Sequence, residues 1–309
     1  MATQTPQRVT ERPLDVVLRP DSPAEAAYRS AVLAPGFEAA PDLNLRYLGG
    51  RTLSLLAFRN VYLGSWDAAE RTKLDGALAA AMEDAHLNNV LAQYFPGGTI
   101  GSSFAGSHVR AGAVPPRVYR DTVESIVTAL DAEGALAGLD LSASAVCLLL
   151  PEGAVLVDGD SGESGTPVDS THGLGGYHGS VHVRRGSEPV YYAVSVYSKG
   201  GNGIVAFDEP WKNVCATLYH ELCEIRTDPD VEDAIRAGAT PGSERLLGWY
   251  SPRGGEIGDI PMAEVHGSIK LVMQEVPLAA GSGTVPIQLM WSNAVSGPEG
   301  PISRPHSPR

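Results

Sequence analysis

Apolar and polar residues alternate along several short runs of this chain, and this two-residue period is the pattern of half-buried β-strands. Two of the runs are separated only by the turn-forming segment RGSEP, so together they predict a β-hairpin. Strands are predicted over residues 52–63, 143–150, 177–184, 190–198, 268–276 and 285–291.

Three longer segments carry apolar residues at helical spacing. The last of them is preceded by Asp208, a suitable N-cap, has Pro210 in its first turn and ends just before Pro229. Helices are predicted over residues 66–94 with a break at 86–89, over 116–135, and over 209–227.

This order of elements predicts an α+β fold in which a mixed sheet packs against helices. Residues 45–294 are expected to form a single domain. Residues 1–44 lack sustained periodicity and residues 295–309 are rich in Pro, Ser and Gly. We therefore expect an extended or disordered N-terminal segment and a disordered tail.

The charge and the apolar runs narrow the classes of partner. With 36 acidic and 23 basic residues, the formal net charge is −13, which repels phosphate backbones and makes nucleic acid an unsuitable partner. No apolar run approaches the roughly 20 residues of a membrane-spanning helix. The N-terminus lacks the apolar core of a secretory signal, so cytoplasmic location is the default expectation and no membrane partner is predicted.

The centre of the last predicted helix, YHELCEIRTDP, carries a pattern with clear chemical meaning. Positions i and i+4 share a helical face, so His220 and Glu224 can bind one metal ion while Glu221 lies beside it. This HExxE arrangement is zincin-like, with a carboxylate in place of the second histidine. The alternative is a solvated helix face, but the apolar stripe of the helix and the acidic loop that follows favour a metal site.

A catalytic zinc needs three protein ligands and one open position for water. The glycine-rich segment GGEIGD supplies Glu256 and Asp259, one of which could complete the site while the other orients His220. Glu256 is the first choice and Asp259 the second, with His266 a lesser candidate.

Zinc in such a site would acidify water, and Glu221 would take the proton and deliver it to the leaving amine. The sequence therefore predicts a zinc-dependent hydrolase, most simply a metallopeptidase acting on a peptide or protein substrate. The oxygen-rich ligand set also admits manganese or iron, although zinc is favoured.

Two further residues are candidates for catalysis. His178 lies on the predicted hairpin, where it could stabilise an oxyanion or bind metal, or be an ordinary strand histidine. Tyr250 lies near the acidic loop and could donate to an oxyanion, or be a packed aromatic residue.

Several segments together match a known pattern: His220-Glu221-Leu222-x-Glu224, Thr227-Asp228-Pro229, Gly248-Trp249 and Gly255-Glu256-Ile257-Gly258-Asp259. Over roughly residues 45–294 the chain resembles the phosphate-induced, EXORDIUM-like family of plants and its bacterial relatives. The resemblance implies a zincin-like metal site. It also implies an alternative function, a non-catalytic metal-containing binding or signalling protein, because the plant members are discussed as extracellular growth-related proteins.

The chain departs from that family in two respects. It lacks the secretory signal, and Ile260 and Pro261 stand where the family has a cysteine after its Glu-Ile-x-Asp loop. Extracellular location is therefore not carried over from the resemblance.

Overall fold

A central β-sheet organises the part of the chain that this computed structural model describes, namely residues 33–162, 168–183, 189–238, 240–281 and 283–308. The strands and longer helices follow in this order: β1 (Arg46–Tyr47), β2 (Leu55–Leu63), α1 (Ala68–Glu83), α2 (Ala85–Leu91), β3 (Gly101–Arg110), β4 (Arg117–Val118), α3 (Arg120–Ala132), β5 (Ser144–Leu149), β6 (Val155–Asp158), β7 (Val168–Asp169), β8 (Gly176–Val181), β9 (Val190–Ser195), α4 (Pro210–Thr227), α5 (Val231–Ala237), β10 (Trp249–Tyr250), α6 (Asp259–Glu264), β11 (Met273–Pro277), β12 (Thr284–Gln288), β13 (Met290–Ser292) and β14 (Gly297–Glu299).

The central sheet has five strands in the order β3-β2-β5-β9-β8. Neighbouring strands are parallel except for β8, which pairs with β9 in antiparallel register from Gly176↔Ser195 to Val181↔Val190. The predicted hairpin is thus confirmed, although its residues 184–188 lie outside the described residues. This mixed sheet packed against helices agrees with the predicted α+β class.

Two apolar cores lie on opposite faces of the sheet, because successive side chains of a strand point to opposite faces. Cys147 and Leu149 of β5 belong to the core that the sheet shares with α1 and α4. Val146 and Leu148 of the same strand belong to the core shared with α3. The helix with the HExxE pattern therefore lies inside a layer of the fold rather than on its surface.

Helix α4 packs against α1 and against strands β8, β9 and β12. From Asn213 to Thr227, every residue except His220 is buried. The predicted N-cap was wrong by one residue: Glu209, not Asp208, precedes the helix, because Pro210 forces the residue before it into an extended conformation. No helix in the described residues has the length and apolarity that crossing a membrane requires.

Three other predicted boundaries differ from the structure. The long first helix breaks at Asp84, not at 86–89, because the Asp84 side chain accepts two backbone N–H groups and starts α2. The second helix begins at Arg120, since the residues before it form β4 and pair with β6. Strand β11 begins at Met273, after a 3-10 turn.

The predicted disordered tail contains regular structure. Strand β14 pairs with β13, Leu33 forms a bridge to Glu299, and Ile302 is buried. The Pro- and Gly-rich composition of the tail does not predict a strand. Strand β14 forms nevertheless, because β13 and the segment around Leu33 supply its hydrogen-bond partners. Of the predicted N-terminal segment, residues 1–32 lie outside the described residues, while 33–44 pack along this C-terminal strand.

Candidate metal centre

The predicted site residues meet where α4 packs against β8 and against the loop that leads into α6. Helix α4 contributes His220, Glu221 and Glu224, of which both glutamates are buried. Strand β8 contributes His178, and the start of α6 contributes Asp259. Helical geometry explains the first three residues, whereas the other two arrive through tertiary packing.

Glu224 lies at the middle of this group. Its Oε2 is 3.1 Å from His220 Nε2 and 3.4 Å from His178 Nδ1. Its Oε1 accepts hydrogen bonds from the backbone N–H groups of Gly258 and Asp259, at 3.1 and 3.2 Å. Because Oε1 is held by the backbone, Oε2 is the oxygen that faces the two imidazoles.

The orientation of His220 is determined by a residue that the sequence did not single out. Gln288 Nε2 donates to the carbonyl oxygen of Gly258 at 2.6 Å, which leaves Gln288 Oε1 to accept from His220 Nδ1 at 2.9 Å. A carbonyl oxygen can only accept, so Nδ1 carries a proton. Nε2 therefore faces the carboxylates, as in a metal-ligating histidine whose other nitrogen is hydrogen-bonded.

His178 is the second imidazole of the group and only 4% of its side chain is exposed. Its Nδ1 lies 3.3 Å from Glu221 Oε2, and its Nε2 lies 3.6 Å from Glu256 Oε1. Within the described residues, these last two atoms are buried and have no hydrogen-bond partner. Of the two alternatives for His178, the structure therefore favours a residue of the site over an exposed strand histidine.

The candidates for a third ligand separate in space. Asp259 Oδ1 lies 3.8 Å from His220 Nε2, whereas Glu256 Oε1 lies 3.6 Å from His178 Nε2. His266 is exposed. Asp259 is therefore the candidate that approaches His220, while a carboxylate oxygen of Glu256 lies within 4.8 Å of one of Glu224.

Tyr250 is half-buried on β10, which pairs with β1. Burial raises the pKa of its phenol. It is not among the residues that line the cavity above the site. The proposed oxyanion donor thus stays a sequence-based prediction without geometric support.

Burial and charge oppose each other across this group. Burial alone would lower the pKa of both imidazoles. Glu256, Glu221 and Glu224 instead raise the pKa of His178 well above its usual value. Glu224 and Glu221 likewise raise the pKa of His220. Burial would raise the pKa of Glu224, yet the two imidazoles hold it well below its usual range. The shifts of the two imidazoles and of Glu224 thus favour opposite charges that attract each other.

The two outer carboxyls shift the other way. Burial, assisted by Glu224, raises the pKa of Glu256 well above its usual value despite the opposing His178. The charge of Glu224, together with burial, raises the pKa of Asp259 to about 6. The negative charge of Glu224 contributes to both shifts, and a divalent cation beside these carboxyls would favour their ionised forms.

A cavity of about 290 Å³ opens above these residues. Its wall includes all six of the site side chains: His178, His220, Glu221, Glu224, Glu256 and Asp259. A molecule in the cavity could therefore reach both imidazoles and the carboxylates.

The donor atoms fit a divalent cation of the zinc type. Ligand atoms of His220, Glu221 and Glu224 lie within 4.8 Å of one another, and so do those of His178, Glu224 and Glu256. Imidazole nitrogens and carboxylate oxygens are both zinc ligands. Glu224 belongs to both groups, so one ion beside its Oε2 would draw on residues from each.

Comparisons with known proteins do not add to this geometry. No family model, no curated protein and no solved structure matches this chain. Any functional inference therefore depends on the site itself.

Proposed function

We propose that this chain is a zinc-dependent hydrolase of the zincin type whose substrate is a peptide or protein. The observation that carries this proposal is the surroundings of His220 Nε2. Carboxylate oxygens of Glu224, Asp259 and Glu221 lie 3.1, 3.8 and 3.9 Å from this atom, at the wall of an open cavity. This set supplies three ligands and a base.

In this proposal His220, Glu224 and Asp259 hold the zinc. Glu256, the first choice from the sequence, is assigned to His178 instead, since its Oε1 lies 3.6 Å from His178 Nε2. A carboxylate beside the outer nitrogen of an imidazole orients the ring and raises its basicity.

A bound zinc would supply a Lewis acid that polarises a carbonyl group and acidifies a water molecule. Glu221 lines the cavity, so its carboxylate can accept the proton of the attacking water and pass it to the leaving amine. His178 lines the same cavity, and we assign to it the stabilisation of the developing oxyanion.

The position of β8 supports the zincin-like interpretation of the fold. In zincins a strand beside the active helix lines the substrate cleft, and β8 is an antiparallel edge strand that packs against α4. The resemblance to the EXORDIUM-like family belongs to the same proposal and predicts the same ligand helix.

Elemental analysis and a peptide-library assay test this function. We expect about one zinc per chain and peptide cleavage, with Glu221→Gln keeping the zinc while losing roughly 10²- to 10⁴-fold in turnover. His220→Ala should lose the zinc. The matched control is His182→Ala, because His182 is exposed and pairs with Asp233 outside the site. Zinc-free protein, or full turnover in Glu221→Gln, would contradict the proposal.

One observation favours a second candidate, a non-catalytic metal-containing binding or signalling protein. Glu221 Oε2 lies 3.3 Å from His178 Nδ1, so a neighbouring side chain already occupies the carboxylate that would have to accept the proton of a water molecule. This alternative predicts bound zinc and no cleavage of any peptide in the library.

A further inference from the structure

A second cavity, of about 240 Å³, adjoins the candidate metal centre. It shares Leu174, Gly176, His220, Glu221 and Asp259 with the first cavity, so the two meet at the proposed base. Four large apolar side chains line it: Leu174, Ile204, Met262 and Met273.

The two cavities differ in charge. Away from the centre, the first is lined by Arg120 and by two acidic residues that contact it, Asp158 at 2.6 Å and Glu232 at 3.6 Å. The acidic residues that line the second are Glu221 and Asp259, which belong to the centre itself. Beyond the centre, the second cavity offers four apolar side chains and the uncharged polar side chains of Thr217 and Gln288.

Two glycines of this wall are closely packed. A Cβ at Gly175 would lie 2.8 Å from Ile204 Cδ1, and a Cβ at Gly176 would meet the Val194 carbonyl oxygen and lie 2.9 Å from Thr217 Cγ2. A larger residue at Gly175 would displace Ile204, and one at Gly176 would clash with the backbone of β9. The shape of the wall therefore depends on glycine at both positions.

Thr217 adds an independent observation. Its side chain lines the cavity one helical turn before Glu221, and the residue is 4% exposed. Its Oγ1 is buried and has no hydrogen-bond partner among the described residues. A buried hydroxyl without a partner is unfavourable, so this atom points to a ligand with a polar group at this position.

We infer that the second cavity binds one uncharged apolar side chain of the peptide substrate, next to the scissile bond, while Thr217 Oγ1 bonds to the substrate backbone. A cavity of roughly 150 Å³ holds benzene, and whole-ligand pockets usually exceed roughly 300 Å³. At about 240 Å³ the volume suits a single side chain as large as leucine or phenylalanine. This inference rests on the proposed hydrolase function and specifies its substrate class.

Peptide binding tests the inference without turnover. Zinc-loaded Glu221→Gln protein is titrated calorimetrically with capped alanine hexapeptides that carry one Leu, Phe, Asp or Lys at each position in turn. At one position Leu or Phe should bind roughly 10- to 100-fold tighter than Asp or Lys. Equal affinities, or no binding by any peptide, would overturn the inference.

Variants of the wall connect the preference to this cavity. Met262→Asp should abolish it, whereas Ala263→Asp, an exposed neighbour on the same helix, should preserve it. Thr217→Val should lower the affinity for all the peptides several-fold, whereas Thr217→Ser, which keeps the hydroxyl group, should bind them as the unmodified chain does. A preference that survives Met262→Asp would contradict the assignment.

The two proposals fail in different ways. If zinc binds but no apolar preference appears, the cavity inference is wrong and the hydrolase proposal stands. If the chain binds no zinc, the hydrolase proposal fails, while an apolar preference in the zinc-free chain would still support the cavity.

Discussion

Replacing Gln288 by alanine removes the residue that orients His220. Gln288 is 1% exposed and bonds to His220 Nδ1 at 2.9 Å and to the carbonyl oxygen of Gly258 at 2.6 Å. Removing its amide leaves two buried polar groups unpaired at about 1–3 kcal/mol each, so the metal-free chain should lose about 2–6 kcal/mol of stability. Zinc affinity should also fall, by roughly 10- to 100-fold, because the imidazole is no longer held in position.

Two measurements separate these effects. Urea unfolding of the metal-free protein gives the loss of stability, and competition with a chelator gives the zinc dissociation constant. The matched control is Gln274→Ala: Gln274 lies on the neighbouring strand, and its Nε2 donates to the Leu271 carbonyl at 2.6 Å, away from the site. Its loss should cost about 1 kcal/mol and leave zinc affinity unchanged.

The refuting result is specific. If Gln288→Ala lowers stability but changes the zinc dissociation constant by less than about twofold, then Gln288 does not orient a metal ligand. His220 Nε2 would then not be the ligand atom of the site.

Three further outcomes are expected. Gly258→Ala should weaken zinc binding, since the new Cβ would lie 2.5 Å from His220 Nδ1. The control Gly76→Ala, at a helical position with open space, should leave zinc binding unchanged and add about 0.5–1 kcal/mol of stability. Chelator competition measures zinc binding and urea unfolding measures stability for both variants. Zinc affinity should rise with pH, because the raised pKa of His220 keeps a proton on the imidazole and zinc must displace that proton. Calorimetry in two buffers of different ionisation enthalpy measures whether zinc binding releases protons, and no release would contradict the prediction. Leu222→Ala, at a fully buried position of α4, should cost about 2–5 kcal/mol in urea unfolding while zinc stoichiometry stays unchanged.

The parts of the fold that the sequence predicted are those governed by local periodicity. The helical spacing around His220 and the strand alternation on both sides of RGSEP depend on neighbouring residues, so α4 and the β8–β9 hairpin could be predicted. The tail strand β14 could not, because its order comes from β13 and the segment around Leu33 rather than from its own composition.

The candidate site also has one part that local sequence predicts and another that depends on tertiary packing. His220, Glu221 and Glu224 share a helix, and the geometry of one turn brings them together whatever the rest of the chain does. The sequence also pointed to the acidic loop, but it could not decide which carboxyl approaches which imidazole. That choice depends on how the loop leading into α6 meets α4 and β8, and it pairs Asp259 with His220 and Glu256 with His178.

Gln288 is the clearest example of a site residue that the sequence could not predict. It lies 68 residues from His220, within an unremarkable strand, and no pattern near it indicates a role at the site. The same holds for the second cavity, whose wall combines residues from loops, from helices α4 and α6 and from strands β8, β11 and β12. The sequence by itself determined the helix that carries His220, Glu221 and Glu224, since backbone periodicity is local. Only the tertiary structure decided which carboxylate approaches which imidazole, how His220 is oriented and what shape the cleft has, since each depends on contacts between distant segments.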